Sequence, residues 1–218
     1  MGAILFLMTI CGSISAAIFF GIAFWTKKDW LKHFVFGGVT VWFSFYVIIF
    51  LMSSIFSVEK TLALNEPKEF CGFYLDCHLN ARISDVRKSK TFGRLTAQNE
   101  FFILKVKISN DAKRETLALI TPKFTVIDAQ GRQFSPTEDL SVSVQTPPFE
   151  EKLSAGQNIE SEIAFDLPPD AQNPRLDIRE GYGIEHAIEA ILVGDEDSFW
   201  HKRQFFKLAE QTQTVSVK

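Results

Sequence analysis

The sequence predicts a membrane-anchored all-β protein: an N-terminal transmembrane helical hairpin followed by an antiparallel β-sandwich. Three observations predict it. Residues Gly2 to Trp25, and again Phe34 to Val58, contain no charged side chain. Everything after Val58 has an ordinary soluble composition. Within that remainder, apolar and polar residues alternate with period two and are interrupted by turn-forming residues.

The two apolar segments come first. A run of 24 uncharged residues makes about 36 Å of helix, against a hydrocarbon core of about 30 Å, so each segment is long enough to span with some tilt. The expected spans are 2–25 and 34–57, joined by the loop 26–33, which is short enough to force an antiparallel hairpin. Trp25 and Trp30 sit at the expected boundary, where an apolar ring with a polar N–H is best placed. A cleaved secretory signal would need a basic start and a shorter apolar stretch, and no Lys or Arg precedes Lys27. Cys11 raises the question of a lipoprotein anchor, but Met8-Thr9-Ile10 is a poor match to the Leu-plus-small-residue pattern that such anchors use. Both segments are apolar all round, which argues against a buried hairpin in a soluble protein.

Ser13, Ala17 and Gly21 recur every four residues on the first span, with Gly12 and Ala16 beside them. Such a face lets another helix approach closely. It either packs on the second span, where Gly37 and Gly38 are candidates, or docks onto a different membrane protein. No ionisable residue lies inside either span, which speaks against a transport or proton path. The loop carries Lys27, Lys28 and Lys32, whereas Lys60 and Lys68 follow the second span. By the positive-inside rule this is a three-to-two vote for a cytoplasmic loop. Both termini and the large domain are then extracytoplasmic, on a chain integral to the cytoplasmic (inner) membrane of a bacterium, with the β-domain periplasmic.

Of the 23 Lys and Arg only those three lysines precede Glu59, and of the 26 Asp and Glu only Asp29, so residues 59–218 hold 20 and 25 with a net charge of −5. A part this large buries roughly 70% of its unfolded surface, enough for its own core. The charge is mildly acidic and no basic cluster stands out, which excludes a nucleic-acid binder.

A linker is expected at 59–69, the sandwich at 70–210 and a disordered polar tail at 211–218. Strands are read in Leu75–Ile83, with His78 facing outward, and in Phe102–Ile108, with the even positions facing inward and Lys105 and Lys107 outward. Another is Ile159–Asp166, with the carboxylates in water. Phe124–Ile127 pairs with Gln133-Phe134 across Asp128-Ala129-Gln130-Gly131, where Gly131 can take a positive φ. Further strands are expected at Thr116–Ile120, Arg175–Arg179, Ala187–Val193 and Gln204–Leu208, with a long loop at Ser135–Lys152. Eight or nine short strands without a long amphipathic helix point to a sandwich.

Three stretches carry a resemblance. They are Val106-Lys107-Ile108-Ser109-Asn110, then Phe124 through Asp128-Ala129-Gln130-Gly131 to Phe134, then Leu153-Ser154-Ala155-Gly156 through Ile163-Ala164-Phe165-Asp166-Leu167-Pro168. Together they resemble the telokin-like immunoglobulin domains of bacterial exported lipoproteins and small secreted antigens, over roughly Ile83 to Ile178. The resemblance implies an immunoglobulin-like β-sandwich, export, and binding rather than catalysis. The sequence departs from that family by carrying a two-span anchor in place of a signal peptide and lipidated cysteine.

Candidate chemistry is sparse. Cys71 and Cys77 are separated by five residues, without the short spacing that lowers a thiol pKa in oxidoreductases. In an exported domain such a pair is a structural disulfide, with free thiols or a redox pair as the alternatives. Cys71, Cys77 and His78 fall short of a zinc site. His33, His78, His186 and His201 are isolated from one another, and no H-E-x-x-H, phosphate-cradling loop or G-x-S-x-G elbow occurs. Asp195-Glu196-Asp197 lacks the ligand spacing of a calcium loop and reads as a solvated acidic turn. No catalytic residue, metal or cofactor is therefore expected.

The segment Phe199-Trp200-His201-Lys202-Arg203-Gln204-Phe205-Phe206 concentrates aromatic and cationic residues. In one reading Phe205 and Leu208 enter the core as a last strand while Phe199 or Trp200 plugs one end of the sandwich. In the other, Phe199, Trp200, His201 and Arg203 form a partner surface. The functional expectation is a non-catalytic accessory or scaffolding subunit whose partners are membrane lipid and another membrane or envelope protein. A ligand-sensing or carrier domain is the alternative, and an enzyme comes last.

Overall fold

The computed structural model describes residues 2–70, 77–137, 148–181 and 188–208. The chain divides into two compact units, Met1–Val58 with Gly183–Arg203, and Glu59–Tyr182 with Gln204–Lys218.

The first unit contains α1 (Gly2–Trp25) and α2 (Asp29–Ile55). By length and composition both are able to cross a membrane. The second helix begins earlier than expected, so the connection shrinks to Thr26-Lys27-Lys28. Asp29 explains the extension. Its carboxylate sits in the first turn, where it complements the helix dipole, and it pairs with Lys32 at 2.8 Å. Ala23 of α1 and Ser54 of α2 are buried, and the two helices meet along a seam that contains the buried Thr9. Across it the Trp42 Nε1–H donates to Thr9 Oγ1 at 3.0 Å.

The second unit is a two-sheet β-sandwich. Its strands are β1 (Lys60–Leu62), β2 (Lys68–Phe70), β3 (Leu79–Phe92), β4 (Leu95–Asn110), β5 (Lys123–Ile127), β6 (Gln133–Phe134), β7 (Asn158–Leu167), β8 (Arg175–Arg179) and β9 (Gln204–Lys207). One sheet runs β1-β9-β8-β5-β6 and the other β2-β3-β4-β7. Every pairing is antiparallel except β1 with β9. Ile83, Leu104, Val106, Ile163, Phe165, Leu176, Ile178 and Phe206 belong to the cluster that fills the core.

The framework residues behind the resemblance turn out to be hydrogen-bonding devices. Asn110, fully buried, donates from Nδ2 to the carbonyls of Glu115 (2.9 Å) and Leu153 (2.8 Å) and accepts from the Ala112 amide (2.9 Å). Asp128 Oδ1 accepts from the amides of Gln130 and Arg132, both at 2.9 Å, closing the β5–β6 turn as an Asx turn. Its Oδ2 accepts from Arg132 Nε at 2.7 Å. Burial pushes the Asp128 carboxyl up, but the Arg132 guanidinium and the turn amides outweigh it and hold the group below the ordinary range. Asp166 accepts from the amides of Gln98 and Asn99, tying β7 to the start of β4.

Several expectations are corrected. The 59–69 stretch is not a free linker: β1 and β2 lie in it, each finding an open sheet edge. Thr116–Ile120 contributes a single bridge, Leu117 to Leu153, rather than a strand. On β4 the even positions Leu104, Val106 and Ile108 do face the core, yet Phe101 and Ile103 are equally buried in a second cluster with Ala164. In the last strand Phe205 and Leu208 are buried as expected, and Phe206 is buried with them; Phe206 and Leu208 join the main core cluster, while Phe205 packs under the Arg175 guanidinium. Residues 211–218 lie outside the described residues, as do 138–147 of the expected long loop.

One ion pair was invisible in the sequence. Lys68, 3% exposed, and Asp177, 1% exposed, approach within 3.8 Å. Lys68 Nζ donates to the Ile178 carbonyl at 2.7 Å and so joins β2 of one sheet to β8 of the other.

Candidate interaction site

The run Ala187–Val193 was expected to be a strand. From Ile188 onward it forms a short helical turn, with the amides of Ile191 and Leu192 donating to the carbonyls of Ile188 (3.1 Å) and Glu189 (3.0 Å). The sheet edge beside β9 is already occupied by β1, so a further strand has no ladder to join there. The segment belongs to the helical unit instead.

Within this segment the Phe199 amide donates to the Ala190 carbonyl at 3.0 Å, closing the loop 191–198. Ser198 Oγ donates to the Asp195 carbonyl at 2.7 Å, and Asp195 Oδ1 accepts from the Asp197 amide at 2.9 Å. Burial pushes the Asp195 carboxyl up, opposed by that amide. Arg203 lies 3.9 Å from Asp197.

Three ties fix the segment to the helices. The Tyr46 hydroxyl donates to the Ile191 carbonyl at 2.8 Å. The Lys202 amide donates to Ser57 Oγ, just past the end of α2, also at 2.8 Å. At the start of α1 the Val193 carbonyl comes so close that any Cβ on Gly2 would overlap it, so glycine is required there.

This arrangement presents Phe199 (57% exposed) and Trp200 (72% exposed), with ring centroids 6.2 Å apart. Neither plugs the sandwich. Trp200 adopts φ +63°, a left-handed conformation unusual for a bulky residue. His201 is half-buried, its Nδ1 2.9 Å from the Lys202 carbonyl oxygen. Phe199, Trp200, His201 and Arg203 therefore sit together on one short segment.

The small-residue face is only partly used between the helices. Ser13 is half-buried and donates back to the Thr9 carbonyl at 2.7 Å, while Ala17 and Gly21 are exposed. Nothing lies within 4 Å of a Cβ placed on Gly12, Gly21, Gly37 or Gly38. These glycines therefore do not mediate the close α1–α2 approach expected of them. Gly12, Ser13 and Ala16 of α1 and Gly38 and Trp42 of α2 line an apolar cleft of about 390 Å³.

Cys71 and His186 lie outside the described residues, and the bridge expected between Cys71 and Cys77 remains an expectation; Cys77 is exposed. His33 and His78 are exposed. Among the described residues no group of three or more His, Cys, Asp or Glu side chains converges as a metal site would require. Sequence reasoning missed Tyr46 and Ser57. Their signal was present as hydroxyls in an otherwise apolar stretch, each needing a partner if water is excluded.

Fold and site together define a β-sandwich protein preceded by two long apolar helices. The chain belongs to the family described as Domain of unknown function (DUF4352), whose model matches residues 76–188, a little over half of its length. That description names no activity. No curated protein matches the chain. Among solved structures it is similar to MPT63, a secreted protein from Mycobacterium tuberculosis, at 10% identity and TM-score 0.44, covering 69% of this chain and 98% of that one. It is similar to the yjhA protein from Bacillus subtilis at 12% identity and TM-score 0.43, covering 67% and 98%. An uncharacterised β-sandwich protein from Clostridium difficile matches at 10% identity and TM-score 0.41, covering 70% and 96%.

Proposed function

We propose that this chain is a non-catalytic, membrane-anchored interaction module, an accessory or scaffolding subunit that binds another membrane or envelope protein. In this reading α1 and α2 span the cytoplasmic membrane as a hairpin. The immunoglobulin-like sandwich, kin to the domains of exported lipoproteins, stands on the extracytoplasmic side. The observation that carries it is the exposure of the helices: Ile4, Ile14, Ile18, Phe36, Val41 and Ile48 all face outward. So much contiguous apolar surface calls for a lipid or protein environment.

The open cleft through Gly12 and Gly38 supports docking of a further helix, because small residues let backbones approach closely. A carrier would need space between its sheets. The positions facing that space are filled by Ile83, Leu104, Phe165, Leu176 and Phe206, which favours binding through a surface.

Alkaline carbonate extraction should leave the chain in the membrane pellet, and release into the supernatant would overturn the anchor. Purification from gently solubilised membranes should bring down a stoichiometric partner, and recovery of the chain alone would overturn the subunit role. After reduction, an impermeant thiol reagent should label Cys71 and Cys77 in right-side-out but not inside-out vesicles. The opposite pattern would reverse the orientation.

A further inference from the structure

We propose that the segment 188–203 is a second membrane contact, an interface anchor whose Phe199 and Trp200 enter the phospholipid headgroup layer beside the end of α2. The proposal rests on the reading of both helices as membrane spans.

The segment's level is set by its ties rather than by its own sequence. Lys202 is bonded to Ser57, two residues beyond the last residue of α2, and Ile191 is bonded to Tyr46 within that helix. A chain held at both points runs along the last turns of α2, where a spanning helix leaves the hydrocarbon. Backbone polar groups are tolerated at such a depth only when they are partnered. The Tyr46 hydroxyl supplies that partner to the Ile191 carbonyl, and the Phe199 amide supplies it to the Ala190 carbonyl.

Two further observations point to a ligand for the aromatic pair. Trp200 holds a left-handed backbone conformation that costs free energy in any residue with a Cβ, while its ring remains exposed. Burial of the ring in the headgroup layer, where tryptophan is enriched, offsets that cost. Phe56 and Val58, which follow α2 directly, are also exposed, so the apolar surface of the helix continues past its end. The adjoining Lys202 side chain is exposed and suits lipid phosphate. The acidic turn beside it is engaged within the segment, Asp195 by the Asp197 amide and Asp197 by Arg203 at 3.9 Å.

The full chain, reconstituted in vesicles of phosphatidylcholine and phosphatidylglycerol, tests the assignment by tryptophan quenching. The difference between wild type and Trp200→Phe isolates Trp200. Lipid brominated near the headgroup end of its acyl chain should quench that difference at least about threefold more strongly than aqueous iodide does. Preferential quenching by iodide overturns the proposal, and so does shielding from both quenchers, which would mean that a protein covers the ring. The emission left in Trp200→Phe comes from Trp25, Trp30 and Trp42. Its quenching by brominated lipid reports the spans independently, so failure of the interface anchor is distinguishable from failure of the membrane hairpin.

Discussion

Ile14 and Ile83 are the same residue in opposite surroundings. Ile14 is 57% exposed on α1, and Ile83 is fully buried between the sheets. The contrast extends through both units. The sandwich withdraws its isoleucines, leucines and phenylalanines from water, and the helices display theirs. The polar groups reverse as well. In the sandwich, charged side chains coat the surface and a few are buried with partners. In the helices, the Thr9 hydroxyl and the Trp42 indole meet at a seam. The difference teaches that the two units treat apolar surface in opposite ways, the sandwich enclosing it and the helices exposing it, as two different solvents would require under the proposed function.

The largest expected effect breaks the sandwich alone. Lys68→Ala removes the ammonium that faces Asp177 Oδ1, while Arg179 keeps its bond to Oδ2 at 2.6 Å, and should cost about 3 kcal/mol, read as a lower urea midpoint for the full chain in detergent. Replacing both by apolar residues, Lys68→Met with Asp177→Leu, should recover most of the loss. An unchanged midpoint in Lys68→Ala would show that the buried pair does not hold the sheets.

Next comes a direct test of the two solvents. On a water-facing surface Ile14→Lys would change stability by no more than about 0.5 kcal/mol. Near the middle of a spanning helix it should oppose insertion by about 3 kcal/mol. The expected result is a shift of the chain out of the membrane fraction, with the sandwich's urea midpoint unmoved. Normal membrane retention of Ile14→Lys would remove the lipid from the comparison.

Asn110→Ala deletes three hydrogen bonds and leaves the Leu153 carbonyl with only its bond from the Leu117 amide, for an expected loss of about 2–3 kcal/mol by the same denaturation. Thr9→Val should weaken the seam by only about 0.6 kcal/mol, the typical worth of an interhelical hydrogen bond in a membrane, measured by unfolding in mixed micelles. The smallest effect is confined to acid. Because Asp128 titrates lower in the folded chain, its stabilisation is complete above the unfolded carboxyl value of about 3.9 and is lost as pH falls through the lower folded value. Asp128→Asn should therefore flatten the acid limb of the stability profile.

Much of this was legible in the sequence, for reasons that differ by region. Arg175–Arg179 was located because alternation and flanking turn residues both mark a half-buried strand. The Asp128 turn was legible because its hydrogen bonds are made over a few residues. Lys68 was read as a flanking charge, since nothing local reveals that a lysine will find Asp177 more than a hundred positions away. The stretch from Ile188 was misread because a short apolar run satisfies strand and helical turn equally, and only a free edge or a neighbouring surface decides. At the candidate site Phe199, Trp200, His201 and Arg203 were singled out by composition, while Tyr46 and Ser57, which set their position, were not.

By itself the sequence determined what depends on composition and near neighbours: two long uncharged segments, a remainder of ordinary charged composition with period-two strands, and turns closed by their own side chains. Only the tertiary structure decided which distant residues share a body. It placed residues 188–203 with the helices, paired Lys68 with Asp177, and left Gly37 and Gly38 open. Solvent preference is additive along the chain and so is written locally, whereas contact between remote segments depends on which surfaces remain unoccupied once the rest has folded.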